Sequence, residues 1–177
     1  IRTQFIVTMS LFGLVVVIIA LSLLVTNQRV DWLNRQQLIA QNIERGAREI
    51  SYLSNDYLLY RESQQRARWE SRFASFSEDV SRLNPNTPEQ QVLVNNIKAN
   101  QARLRAVFAD VVSTLEGAAQ THDAAVDMAF IQVSWSRMEV QNQGMVFDAQ
   151  LLSQKFHAEI DQSKQTNEML IFALVGL

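Results

Sequence analysis

MAFIQVSWSRMEVQNQGMVFDAQLLSQKF, residues 128–156, is the stretch on which the fold turns. Met128, Ile131, Trp135, Met138, Asn142, Met145, Ala149, Leu152 and Phe156 recur in strictly alternating steps of three and four. Side chains three and four apart share one face of an α-helix, so the pattern predicts a long helix with a single buried seam. Asn142 interrupts that seam and reads as a polar core residue that fixes helix register. Trp135 lies on it and is therefore expected to be buried and costly to truncate.

Three earlier segments carry the same period. Trp32, Ile39, Ile43, Gly46, Ile50, Leu53, Tyr57 and Tyr60 mark the first, and Trp69, Phe73, Phe76, Val80 and Leu83 the second. Leu93, Ile97, Leu104, Phe108, Val111 and Leu115 mark the third. The breaks between them are legible. The first stripe changes phase at Arg61 to Gln64, and the third ends near Gly117 to Thr121. Asn84-Pro85-Asn86-Thr87-Pro88 is a strong turn signal, with Thr87 placed to cap the third helix, Pro88 at its first position and Glu89 in its first turn. Thr121 or Asp123 would cap the fourth, and Gln90 is expected to be exposed. Segment lengths of about 36, 20, 30 and 48 residues let a chain rise, descend, rise and return along one axis. The fold expected is all-α: an up-down-up-down antiparallel four-helix bundle with flanking transmembrane helices. The helix three–four hairpin, with Phe108, Val111, Val112, Leu115, Met128 and Ile131, is expected to project beyond the first turn.

Phe5 to Val25 runs without a charge. At about 1.5 Å per residue it covers roughly 31 Å, the thickness of a bilayer core, and reads as a retained anchor. Met169 to Leu177 is again uncharged but too short to span, and is expected to be the start of a second transmembrane helix. The expected organisation is therefore residues 1–26 as a cytoplasmic stub and first span, 27–168 as an extracytoplasmic bundle, and 169–177 as a truncated second span. The 177 residues hold five Gly, two Pro and no Cys, so disulfides and thiolate metal sites are excluded. A formal net charge of -2 without a basic face argues against nucleic acid as a partner.

Candidate ligand-binding residues come from the same length arithmetic, which sets Tyr57, Trp69 and Trp135 at similar heights. Arg66 or Arg61 would pair a small anion, and Tyr57, Tyr60, Trp69 and Trp135 would form aromatic walls. The competing reading is an aromatic core layer with Arg66 stretched along its edge. His122 and His157 lack partners at metal-ligand spacing, even with Asp123 and Asp127 nearby, and no carboxylate pair stands out for acid–base work. No metal, cofactor or catalytic residue is expected in this stretch of chain.

The order span, bundle, span resembles the four-helix-bundle sensor modules of bacterial transmembrane receptors, the sensor histidine kinases and the methyl-accepting chemoreceptors. Locally, Ser54-Asn55-Asp56-Tyr57-Leu58-Leu59-Tyr60 followed by Arg66-Ala67-Arg68-Trp69 looks like the first hairpin of sensor-kinase input domains. The resemblance implies an input domain in a bacterial inner membrane, a homodimer, and a signal passed by displacement of helix four into the second span. It carries over no particular ligand, and leaves open a small anion or an extracytoplasmic binding protein. A sensor histidine kinase is the first reading. A chemoreceptor is the alternative, and a structural membrane-tethered interaction module without a small-molecule ligand is another.

Overall fold

The structure is a computed structural model that describes residues 2–121 and 128–175. The regular structure of the described residues is all helix: α1 spans Arg2–Tyr60, α2 Ser63–Ser81, α3 Pro88–Thr121 and α4 Met128–Val175. Its contacts group into two units.

The unit formed by residues 36–154 contains the aromatic-rich core. The expected α2 and α3 stripes are buried at every position from Trp69 to Leu83 and from Leu93 to Leu115. Along α1 the seam holds from Ile43 to Tyr57, whereas Tyr60 stands exposed. Along α4 it holds from Met138 to Phe156. At its start it fails: Met128 and Trp135 are exposed, and Ser134 is buried in Trp135's place. A three-four alternation repeats every 3.5 residues, but a straight helix turns every 3.6, so the stripe drifts by about 20° per heptad. Three heptads back from Phe156 the accumulated drift has carried Trp135 off the core and brought Ser134 in.

The breaks follow from local chemistry. Arg61 adopts φ 55, the left-handed region usually left to glycine, and its N–H bonds the Tyr57 carbonyl at 2.9 Å, which closes α1. Glu62, extended, then leads into α2. Before α3 the Thr87 hydroxyl accepts the Gln90 N–H at 3.2 Å, as a cap should. Gln90 itself is fully buried rather than exposed, because its Oε1 turns back to accept the Asn86 N–H at 3.0 Å. Thr121 is the last residue of α3, and Asp123 lies outside the described residues.

Side-chain pairing orders the helices of this unit. Ser54 meets Trp69 and Glu49 meets Arg72. A Cβ on Gly46 would sit 3.0 Å from the Phe76 ring, so α1 and α2 approach closely there. Gln36 reaches the turn after α2, accepting the Asn84 N–H at 2.8 Å and donating to the Arg82 carbonyl at 3.4 Å. Between α2 and α3, Ser77 meets Gln101 and Arg66 meets Glu116. Between α1 and α4, Ser51 meets Glu139 and Asn55 meets Trp135. Phe108, Val111, Val112 and Leu115, expected on a projecting hairpin, are buried, since Tyr57 and Trp69 pack on Phe108 and Arg66 reaches Glu116.

The unit formed by residues 1–35 and 155–177 differs in kind. Trp32 sets its ring edge on Phe156 at 6.2 Å, and Arg29 lies 3.8 Å from Glu159. Above this short packed zone, Phe12, Leu14, Val17, Ile18, Leu21 and Leu24 all stand exposed on α1. Among the described residues, α1 contains one helical stretch long and apolar enough to cross a membrane. A helix that exposes leucine, isoleucine and valine all round has a favourable place in lipid, where its backbone bonds are already satisfied internally.

Candidate functional site

The candidate residues fall into two neighbouring places in the unit of residues 36–154. At the first, the Trp69 ring lies flat between Phe108, 3.6 Å between centroids, and Phe73, at 4.7 Å. Its indole N–H donates to the buried Ser54 hydroxyl at 2.9 Å, which in turn donates to the Ile50 carbonyl at 2.8 Å. Tyr57 joins the stack against Phe108 at 5.3 Å. Burial pushes its phenol above the ordinary range, so it remains a neutral hydroxyl. With Trp69 and Tyr57 each 3% exposed, these rings form a core layer rather than the walls of an open site.

Arg66 stands beside this layer, not on the buried seam. Its Nε donates to Glu70 at 2.8 Å and its Nη1 to Glu116 at 2.6 Å. The two carboxylates raise its pKa, and their negative charge already meets the positive charge that would attract an anion. A groove of about 800 Å³ runs past Arg66, Trp69, Phe108, Arg105 and Glu116 between α2 and α3. Its mixed charges give it no preference for anions.

The second place is a groove of about 660 Å³ that brings Arg61 and Trp135 together. Leu58, Leu59, Met128 and Ile131 supply apolar walls, and Asn55 and Gln132 are its polar members. The Trp135 indole N–H donates to the Asn55 side-chain oxygen, which holds the half-exposed ring across the groove. Arg61 is exposed and carries no ion pair among the described residues. Of the six candidates, the structure thus joins Tyr57 and Trp69 in the core, sets Arg66 at its rim, and joins Arg61 with Trp135 at a groove. Tyr60 lines neither groove and points to solvent.

Sequence reasoning missed a third feature. A groove of about 400 Å³ between α1 and α4 is lined by Arg48, Ser51, Glu139, Asn142, Val146 and Phe147 among others. Asn142 is 2% exposed, and both its Nδ2 and its Oδ1 lack hydrogen-bond partners. The signal was present as a lone Asn on an apolar seam, but its lack of a partner could not be read from the chain. Asp148, also buried, accepts from Asn96, yet burial dominates and raises its pKa from the ordinary 3.8. A raised acid pKa means that the folded state holds the proton more tightly than the unfolded one. Stability is then greatest below the unfolded value and falls as pH rises through the folded one. Asp148→Asn should therefore raise the thermal midpoint at pH 7, and the difference from the parent should shrink as pH falls toward 4. Melts recorded from pH 4 to 8 check this, and a constant difference would refute it.

Among the described residues no group of three His, Cys, Asp or Glu side chains could hold a metal ion. His157 lies 3.4 Å from Asp161 on the surface of α4, and His122, Asp123 and Asp127 fall outside the described residues. Comparison with family models, with curated proteins and with solved structures finds no match. Over the described residues the coordinates define an all-helical class with one candidate membrane-spanning helix.

Proposed function

We propose that the chain is the input module of a bacterial transmembrane signalling receptor. It is held in the inner membrane by the apolar part of α1, with residues 36–154 outside the cytoplasm as an up-down-up-down antiparallel bundle. The observation that carries this reading is the continuity of α4. One unbroken helix lines the Arg61–Trp135 groove at its start and ends in exposed Met169, Ile171 and Phe172. A packed helix moves as a unit, so a shift of about 1–2 Å at the groove is transmitted along its whole length. The opposed numbering of the helix contacts supports the bundle topology, and the apolar end of α4 supports a second entry into lipid.

The Arg61–Trp135 groove suits a small amphipathic anion: one free guanidinium beside a tryptophan and four aliphatic side chains. The stimulus is thus assigned to Arg61 rather than Arg66, whose charge is already met. The output is assigned to a cytoplasmic histidine kinase, or in the alternative to a chemoreceptor signalling domain, and no catalysis to the residues described.

Topology provides the test. Lys98 is exposed on α3 and the chain has no cysteine of its own. Lys98→Cys should react with a membrane-impermeant maleimide in intact cells stripped of their outer membrane. Labelling only after the inner membrane is permeabilised would place the bundle in the cytoplasm and end the proposal.

A further inference from the structure

Among the described residues, Asn142 is the one side chain whose donor and acceptor are both buried and unpaired. It is 2% exposed, yet it lines the groove of about 400 Å³ between α1 and α4. Buried polar groups are paired almost without exception, and the exceptions gather where a fold gives up stability for function. Setting the helix register accounts for an asparagine on the seam. It leaves the Nδ2 hydrogens and the Oδ1 lone pairs unused.

The charged groups of the groove are already engaged. Glu139 accepts the Ser51 hydroxyl at Oε2, 2.7 Å away, and the Gln143 amide at Oε1, 2.8 Å away. Arg48 pairs with Glu44 one turn back on α1. Arg48 and Glu139 also line the groove with opposite charges, so neither an anion nor a cation is favoured there. The unmet demand is therefore for one donor and one acceptor on a neutral group. Val146 and Phe147 supply the apolar part of the lining, and Phe147 stands 65% exposed.

We propose that this groove binds a small, uncharged aromatic carboxamide. A primary amide carries an N–H and a C=O side by side on one edge, and that edge meets the Asn142 carboxamide in two antiparallel hydrogen bonds. The aromatic ring then packs on Phe147 and Val146, offset or edge-on. A volume of about 400 Å³ lies at the small end of ligand pockets and suits one substituted ring. Because the polar atoms of Asn142 are closed to water, entry requires the exposed Gln143 and Phe147 side chains to turn aside. Exposed residues make such rotamer changes within nanoseconds. The site shares no lining residue with the Arg61–Trp135 groove, and it depends on neither the membrane anchor nor the signalling reading.

The full chain in lipid nanodiscs, titrated with 4-fluorobenzamide and followed by fluorine NMR relaxation, is the test. A dissociation constant of about 5 mM or tighter is expected, ordinary for a ligand of about ten heavy atoms. On the same outline 4-fluorobenzoate offers acceptors alone and 4-fluorobenzamidinium donors alone, so each should bind at least about tenfold more weakly. Asn142→Leu should weaken 4-fluorobenzamide binding by about tenfold or more. Phe147→Ala, a truncation at an exposed position, should weaken it by about threefold and melt like the parent. Saturating 4-fluorobenzamide should raise the thermal midpoint of the parent and leave that of Asn142→Leu unmoved. A diazirine-bearing benzamide should label peptides that hold residues 48–51 or 139–150. Binding weaker than about 5 mM, a benzoate or benzamidinium that binds as tightly as the amide, an Asn142→Leu variant with the parent's affinity, or labelling elsewhere in the chain would each overturn the proposal.

Discussion

Trp69→Ala should lower stability by about 3–5 kcal/mol, the largest loss expected from any single aromatic truncation in this chain. Trp69 is 3% exposed, lies flat on Phe108 and Phe73, and gives its N–H to a hydroxyl that is itself buried. Removing it empties the middle of the aromatic layer and leaves Ser54 facing the void. At roughly 2–4 °C per kcal/mol for a chain of this size, the thermal midpoint should fall by about 6–20 °C. Trp135→Ala is the matched control, because Trp135 is 43% exposed and its indole makes one hydrogen bond to Asn55. That change should cost no more than about 1 kcal/mol. Circular-dichroism melts of the two variants beside the parent decide the matter. Equal losses would mean that the start of α4 packs as its heptads, and not its coordinates, suggest.

Asn142→Leu should stabilise the chain. The Asn142 carboxamide is buried with neither its donor nor its acceptor satisfied, and a buried polar group without partners costs about 1–3 kcal/mol. Leucine has the same branching and no polar atoms, and the adjoining groove of about 400 Å³ can absorb its slightly greater bulk. A gain of about 1–2 kcal/mol, or roughly 2–8 °C in the midpoint, is the expected result. Asn142→Asp should do the opposite at pH 7, because it places an ionised carboxylate at a buried position with no hydrogen-bond partner, and it should recover as acid neutralises the group. A destabilised Asn142→Leu would show that the carboxamide has a partner in solution. An Asn retained at such a cost is consistent with its role as a register-setting residue on the α4 seam.

Neither result depends on the aromatic and polar residues having been recognised, only on where they point. Trp69 and Trp135 are equal on the sequence in one respect: both sit on apolar stripes at helical spacing. What separates them is distance from a fixed point in the register. Trp69 begins the stripe of a short helix, in which a 3.5-residue reading and the true 3.6-residue turn have little room to diverge. Trp135 lies 21 residues from Phe156, and the divergence has become a change of face. Tyr60 was misplaced for a different reason. The break at Arg61 ends α1 before the last tyrosine can meet α2, and only the left-handed φ there reveals it.

The sequence by itself determined that the described residues are helical, where α1, α2 and α3 end to within a few residues, and which faces of α2 and α3 are buried. These follow from local period, from the Thr87–Pro88 cap and from the Asn-Pro punctuation, all of which act within a turn or two of chain. It also marked Phe5 to Val25 as membrane-like, since length and apolarity are local properties. The tertiary structure alone decided the pairings. It gave Arg66 to Glu70 and Glu116, left Arg61 free, gave the Trp69 N–H to Ser54, buried Gln90, and left Asn142 without a partner. The Arg66–Glu70 pair and the Gln90 turn are local, but the Arg66–Glu116 and Trp69–Ser54 pairs depend on which side chains 15 and 50 residues apart arrive at one height. A hydrogen bond or an ion pair requires fit within about half an ångström, whereas the residue pattern fixes position only to a helical turn.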